Sequence, residues 1–111
     1  MDESSLSVLE RGDAVYVKLS GNAQVDTATA LKNELAGRKP VKDVAVDWES
    51  AEHVSASVLQ VLFSCAKSLR QGGRRLWIEK DNPQVREYLR LAGLAGHFPP
   101  AAESHQRDAD A

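Results

Sequence analysis

Apolar residues change their spacing repeatedly along this chain, and the order of those changes restricts the fold more than any single motif does. Val15, Val17 and Leu19 recur two apart with Tyr16 and Lys18 between them, the pattern of a strand with one face against a core. Residues 6–9 alternate in the same way, and Arg11-Gly12-Asp13 holds the Gly-Asp pair of a tight turn, so the chain is expected to open with a hairpin. Over residues 25–35 the period lengthens. Ala28, Leu31 and Leu35 fall at helical spacing, with Gln24 or Asp26 near the start and Gly37 beyond the end. Alternation returns over residues 41–48 through Val44, Val46 and Trp48, after a Pro40 that cannot continue a helix.

Residues 57–71 form the most apolar helical stretch. Leu59, Leu62, Phe63, Ala66 and Leu69 make a stripe that Val58, Val61 and Cys65 widen, which predicts a heavily buried helix stopped by Gly72-Gly73. Residues 76–79, with Trp77 and Ile78, read as a short strand. Val85, Leu89 and Leu91 mark a last helix that starts at Asn82-Pro83 and ends near Gly93. The predicted order is β-β-α-β-α-β-α. Strands joined through helices require parallel pairing with right-handed crossovers. The expected fold is therefore a single α/β domain over residues 1–99: a mixed β-sheet of about four strands, packed with three to four helices, the hairpin at one edge. Residues 100–111 carry almost no large apolar side chain, so burial cannot offset the entropy of ordering them, and a loose tail is expected.

A length of 111 residues leaves room for one core. The formal net charge of -2 supplies no basic field to draw the chain onto nucleic acid or anionic lipid. Cys65, the one cysteine, has no internal disulfide partner, and the N-terminal residues lack the apolar run of a signal peptide or membrane span. A cytosolic location is the expectation.

Residues able to do chemistry are few. His53, His97 and His105 lie apart from any set of metal ligands, with Glu52 the only neighbouring carboxylate to His53, and each reads as a surface histidine. Cys65 falls among Leu62, Ala66 and Leu69, where a buried thiol is the ordinary reading. Gly72-Gly73 and Gly93 to Gly96 read as helix stops rather than phosphate cradles, and Arg70, Arg74 and Arg75 complement a helix C-terminus. Trp48 and Trp77 fit core or sheet-face packing. No catalytic residue, metal site or cofactor is expected.

The polar approach to the long helix stands apart. Ser57 followed three residues later by Gln60 matches a capping box, with Ser55 the alternative cap. A phosphate on a hydroxyl there would be favoured by about 0.3–1 kcal/mol through the helix dipole, so Ser57 and Ser55 are candidates both for cap and for phosphoacceptor.

The order "VKLSGNAQVDTATALKNEL", "VDWESAEHVSASVLQVL", "GGRRLWI" and "VREYLRLAGL" resembles the STAS family, the sulfate-transporter and anti-sigma-factor-antagonist domain, from about Leu6 to Phe98. Family members carry a strand, then Asp-Ser-Ser-Gly-Leu or a variant, then the long apolar helix. In antagonists the hydroxyl after that aspartate is phosphorylated by a kinase that is also the anti-sigma factor. Residue by residue, the aspartate falls on Ser55, the acceptor on Ala56, the next hydroxyl on Ser57 and the glycine on Val58. The family's Gly-Glu-Leu-Asp corresponds to Gly21, Asn22, Ala23 and Gln24. The resemblance thus implies a noncatalytic bacterial regulator without the usual acceptor. It would bind an anti-sigma factor kinase, a histidine kinase or a chemotaxis complex through Gln24, Glu52, His53, Ser55, Ala56, Ser57, Val58 and Gln60. The alternative it implies is a STAS subunit bound to the ATPase of a phospholipid transporter.

Overall fold

The computed structural model describes residues 6–37 and 42–101. Strands β1 (Leu6–Arg11) and β2 (Ala14–Leu19) form the expected hairpin. Gly12 at its tip adopts φ +62°, a left-handed conformation that a residue with a Cβ adopts only under strain. β3 (Gly21–Ala23) leads into helix α1 (Val25–Ala36), and β4 (Asp43–Asp47) leads into β5 (Ala51–Val54) and helix α2 (Ala56–Gln71). β6 (Leu76–Lys80), helix α3 (Pro83–Leu91) and a 3-10 turn at Ala95–His97 complete the chain. The expected order holds, with two short strands and one turn added. Val41 and Pro40, expected at the start of the central strand, lie outside the described residues, as do His105 and most of the tail, residues 102–111.

The main sheet runs β1-β2-β4-β6, antiparallel between β1 and β2 and parallel across the other two seams. Val15, Val17 and Leu19 of β2, Val44 and Val46 of β4, and Leu76 and Ile78 of β6 turn to the face covered by α1 and α2. There they meet Ala28 and Leu31 of α1 and Val58, Leu59, Leu62, Ala66 and Leu69 of α2. On the opposite face Leu9, Tyr16, Ala45 and Trp77 stand in register as one row across all four strands. Arg11 lies 5.4 Å above the Tyr16 ring, so its charge rests on the aromatic face.

The C-terminal segment is part of the domain. Phe98 is fully buried, tilted at 53° against Trp48 with centroids 5.8 Å apart. The Ile78 amide donates to the Pro99 carbonyl at 2.8 Å, and Pro100 bridges to Ile78, so contact with the sheet continues one residue past the expected domain end. One sequence expectation needs correction here. His97 is not a simple surface histidine. Its ring is half-buried and edge-on to Phe63 at 4.8 Å, and its Nδ1 is buried with no hydrogen-bond partner. Leu91 is 71% exposed, because it lies two residues from the buried Leu89 and so on the other side of α3.

Candidate functional site

The site is built by the two short strands. β3 pairs with β5 in parallel, Asn22 opposite His53 and Ala23 opposite Val54. Each strand runs directly into a helix, so their pairing sets the start of α1 beside the start of α2. Three backbone bonds fix the junction: Gly21 N to Ser50 O at 3.1 Å, Ser55 N to Ala23 O at 2.8 Å, and Leu59 N to Ser55 O at 3.1 Å. Glu52 and His53, expected in a loop, are exposed strand residues for this reason.

Ser55 is the N-cap of α2, with φ -72° and ψ 162°, and its Oγ accepts from Val58 N at 3.3 Å. The capping-box reading centred on Ser57 is therefore corrected. The ladder bond to Ala23 makes Ser55 the last extended residue, and the helix has already turned by Ser57, whose hydroxyl caps nothing. Ser55→Ala is expected to lower stability by about 0.5–2 kcal/mol and Ser57→Ala to leave it nearly unchanged, read as the shift in urea midpoint at constant slope.

Ala56, the first helical residue, is exposed, and Ser57 is half-buried. Val58 is fully buried and belongs to the core, so it drops out of the expected contact surface. Gln60 is exposed but turned aside. It lines a groove of about 390 Å³ between α1 and α2 with Lys32, Leu35, Val61 and Cys65. Gln24 is exposed at the N-cap of α1, makes no side-chain cap bond, and is followed by Val25, 64% exposed. The structure thus brings Gln24, Glu52, His53, Ser55, Ala56 and Ser57 to one end of the domain and places Val58 and Gln60 elsewhere.

Sequence reasoning missed the third side of this end. Glu52, His53, Val54 and Ala56 share a notch of about 200 Å³ with Gln84, Val85 and Tyr88 of α3. Asn82 holds α3 there. Its Oδ1 accepts from Gln84 N at 2.9 Å and Val85 N at 3.4 Å, while its Nδ2 donates to Trp48 O at 3.1 Å and Ala51 O at 2.7 Å. The visible signal was Asn82-Pro83 as a helix start; the tie to the turn before β5 was invisible.

Chemical activation is absent where a nucleophile would need it. Burial pushes the Cys65 thiol up to about 11, leaving it protonated and unreactive near neutral pH. Among the described residues, no group of His, Cys, Asp and Glu is arranged to hold a metal ion, and no helix is long and apolar enough to cross a membrane.

The family model described as "Mlab, STAS domain" matches residues 6–100. The chain belongs to the STAS family. Solved structures with a similar fold include the anti-sigma factor antagonist SpoIIAA in its unphosphorylated form, at 15% identity and TM-score 0.76 over 94% of each chain. The phosphorylated form of the same Bacillus cell fate determinant matches at 14% identity and TM-score 0.72, over 96% of this chain and 99% of that one. An anti-sigma factor antagonist from Mycobacterium paratuberculosis matches at 22% identity and TM-score 0.68, over 86% and 82%. At these identities the likeness is one of fold. A search of curated protein sequences finds no match.

Proposed function

We propose that this STAS protein is a noncatalytic regulatory module that acts by occupying a partner protein's surface, as an anti-sigma factor antagonist does. Gln24, Glu52, His53, Ser55, Ala56 and Ser57 form the contact. The observation that supports this reading is the β3–β5 ladder. It sets the starts of two helices side by side, each opening on an exposed apolar residue, Val25 and Ala56. An exposed apolar centre with a polar rim is the anatomy of a docking surface. The partner class is an anti-sigma factor with a kinase fold, a histidine kinase or a chemotaxis signalling protein.

Ala56 offers no oxygen to a kinase, so binding is expected to be indifferent to ATP and kinase turnover. A position that cannot switch also suits a permanent contact. That favours, as a second reading, a subunit docked on a transporter ATPase.

Co-purification from the native organism separates these partners, and the decisive variant is Ala56→Glu. A carboxylate at the first helical position is tolerated by the helix dipole, whereas a charge buried against an apolar or acidic partner surface is costly. The variant is expected to fold with an unchanged urea midpoint and to lose its partner. Retained binding would remove Ala56 from the contact, and stoichiometric phosphate on Ser55 or Ser57 in the native sample would replace constitutive binding with a shifted switch.

A further inference from the structure

Four large hydrophobic side chains are exposed among the described residues: Leu9, Val25, Tyr88 and Leu91. Tyr88 shares a notch with Ala56, and Val25 opens the helix that starts beside α2. Helix α3 buries Val85 and Leu89 on one side and turns Gln84, Tyr88 and Leu91 outward, at the i, i+4, i+7 spacing of a single face. Tyr88 is 48% exposed and forms one wall of the notch whose other wall is His53 and Ala56. The apolar ridge of α3 and the centre of the proposed contact are therefore one continuous surface.

Charge around the notch is uneven. Glu87 is paired with Arg90 at 2.6 Å and Asp81 with Arg86 at 3.0 Å, so those four side chains cancel. The hydrogen bond from Arg90 accordingly lowers the Glu87 carboxyl below its ordinary value. Glu52 on the notch wall and Glu49 in the turn before β5 are exposed, and no cation among the described residues pairs with either. Among the described residues, Glu52 is the one formally charged side chain that lines the notch, so the sign on its wall is negative.

We propose that the exposed face of α3 completes the docking surface and receives a basic amphipathic helix of the partner. One apolar side chain of that helix sits in the notch, and its Lys or Arg residues face Glu49 and Glu52. The proposal deepens the docking reading above and rests on it. A helix fits better than an added strand, because the ridge has helical spacing and because Asn82 already occupies the Ala51 carbonyl at the entrance of β5. Complementary charge on the rim supplies orientation and encounter rate, and the apolar ridge supplies the contact that persists.

The test uses the full chain, labelled with nitrogen-15, and two synthetic amphipathic peptides as probes: one of leucine and lysine at helical spacing, one with every lysine replaced by glutamate. The lysine peptide is expected to cause saturable amide shifts centred on His53, Ala56, Tyr88 and Leu91, with the glutamate peptide weaker by about tenfold or more. Tyr88→Ser and Leu91→Ser, both at exposed positions and so compatible with folding, are each expected to weaken the lysine peptide. Equal binding of the two peptides, shifts centred on Lys32 and Cys65 in the α1–α2 groove, no saturable shift, or indifference to both serine variants would overturn the proposal. The peptides contain nothing of the native partner, so their result is read apart from that of Ala56→Glu. A native partner lost on Ala56→Glu but kept by both serine variants would preserve the docking reading and remove α3 from it.

Discussion

Phe98→Ala is expected to cost about 3–5 kcal/mol of folding stability, about a fifth or more of what a domain of this size commonly possesses. The ring is fully buried and lies against Trp48, itself fully buried, so the lost volume opens beside a large rigid group that collapses poorly into it. The backbone on either side is also anchored. Arg86 Nη2 donates to Phe98 O at 2.9 Å, Phe98 N donates to Ala95 O at 3.1 Å, and Pro99 accepts from Ile78. Relaxation toward the cavity would therefore break hydrogen bonds. Urea denaturation should show a lowered midpoint at unchanged slope, with Phe98→Leu recovering most of the loss. A cost below about 1 kcal/mol would mean that the segment after α3 lies outside the cooperative unit.

Where burial has a period, the sequence revealed structure. Val15, Val17 and Leu19 specified a half-buried strand, and the wide stripe from Val58 to Leu69 specified the helix above the sheet. The same logic failed at β3 and β5. "GNA" and "AEHV" are too short and too polar to carry alternation, and they are strands only because each borrows backbone partners from the other, about thirty residues away. That one long-range pairing determines the cap of α2. A local rule chose Ser57 because Gln60 follows it, and the bond from Ser55 N to Ala23 O chose Ser55 instead. The neighbouring positions of Gln24 and Ala56 came from the family resemblance and could not have come from periodicity. The α3 wall of the notch was hidden for a related reason. Leu91 served only to mark the helix, and its angular position relative to Leu89 points it outward. The sequence therefore displayed the core elements, while the site resides in what connects them.

Asn82→Ala is expected to cost about 2–4 kcal/mol, since it removes a helix cap worth about 1 and takes the amide donor from the Ala51 carbonyl, costing about 1–3 if nothing replaces it, while the Trp48 carbonyl keeps the Ala51 amide. The side chain is almost fully buried and both of its ends are used: Oδ1 on the amides of Gln84 and Val85, Nδ2 on the carbonyls of Trp48 and Ala51. It ties the start of α3 to the turn feeding β5, beside the notch, with the Trp48 Nε1 to Asp81 bond at 2.9 Å next to it. Asn82→Asp separates the two roles. Aspartate keeps the accepting oxygen of the cap, and a carboxylate is welcome at a helix N-terminus, but it presents a second acceptor to the Trp48 and Ala51 carbonyls where the amide presented a donor. If the tie matters more than the cap, Asn82→Asp will be destabilised as much as Asn82→Ala at neutral pH. It will recover in part as the pH falls through its carboxyl pKa, because the protonated acid regains a donor. In that case the facing carbonyls and burial outweigh the cap amides and raise that pKa in the folded state, so protonation favours folding, and stability lost at neutral pH returns on acidification. Denaturant midpoints measured across the acid range decide the matter. An Asn82→Asp midpoint equal to that of the unsubstituted protein at neutral pH would assign Asn82 to capping alone and leave the start of α3 to be held to that turn by its other contacts.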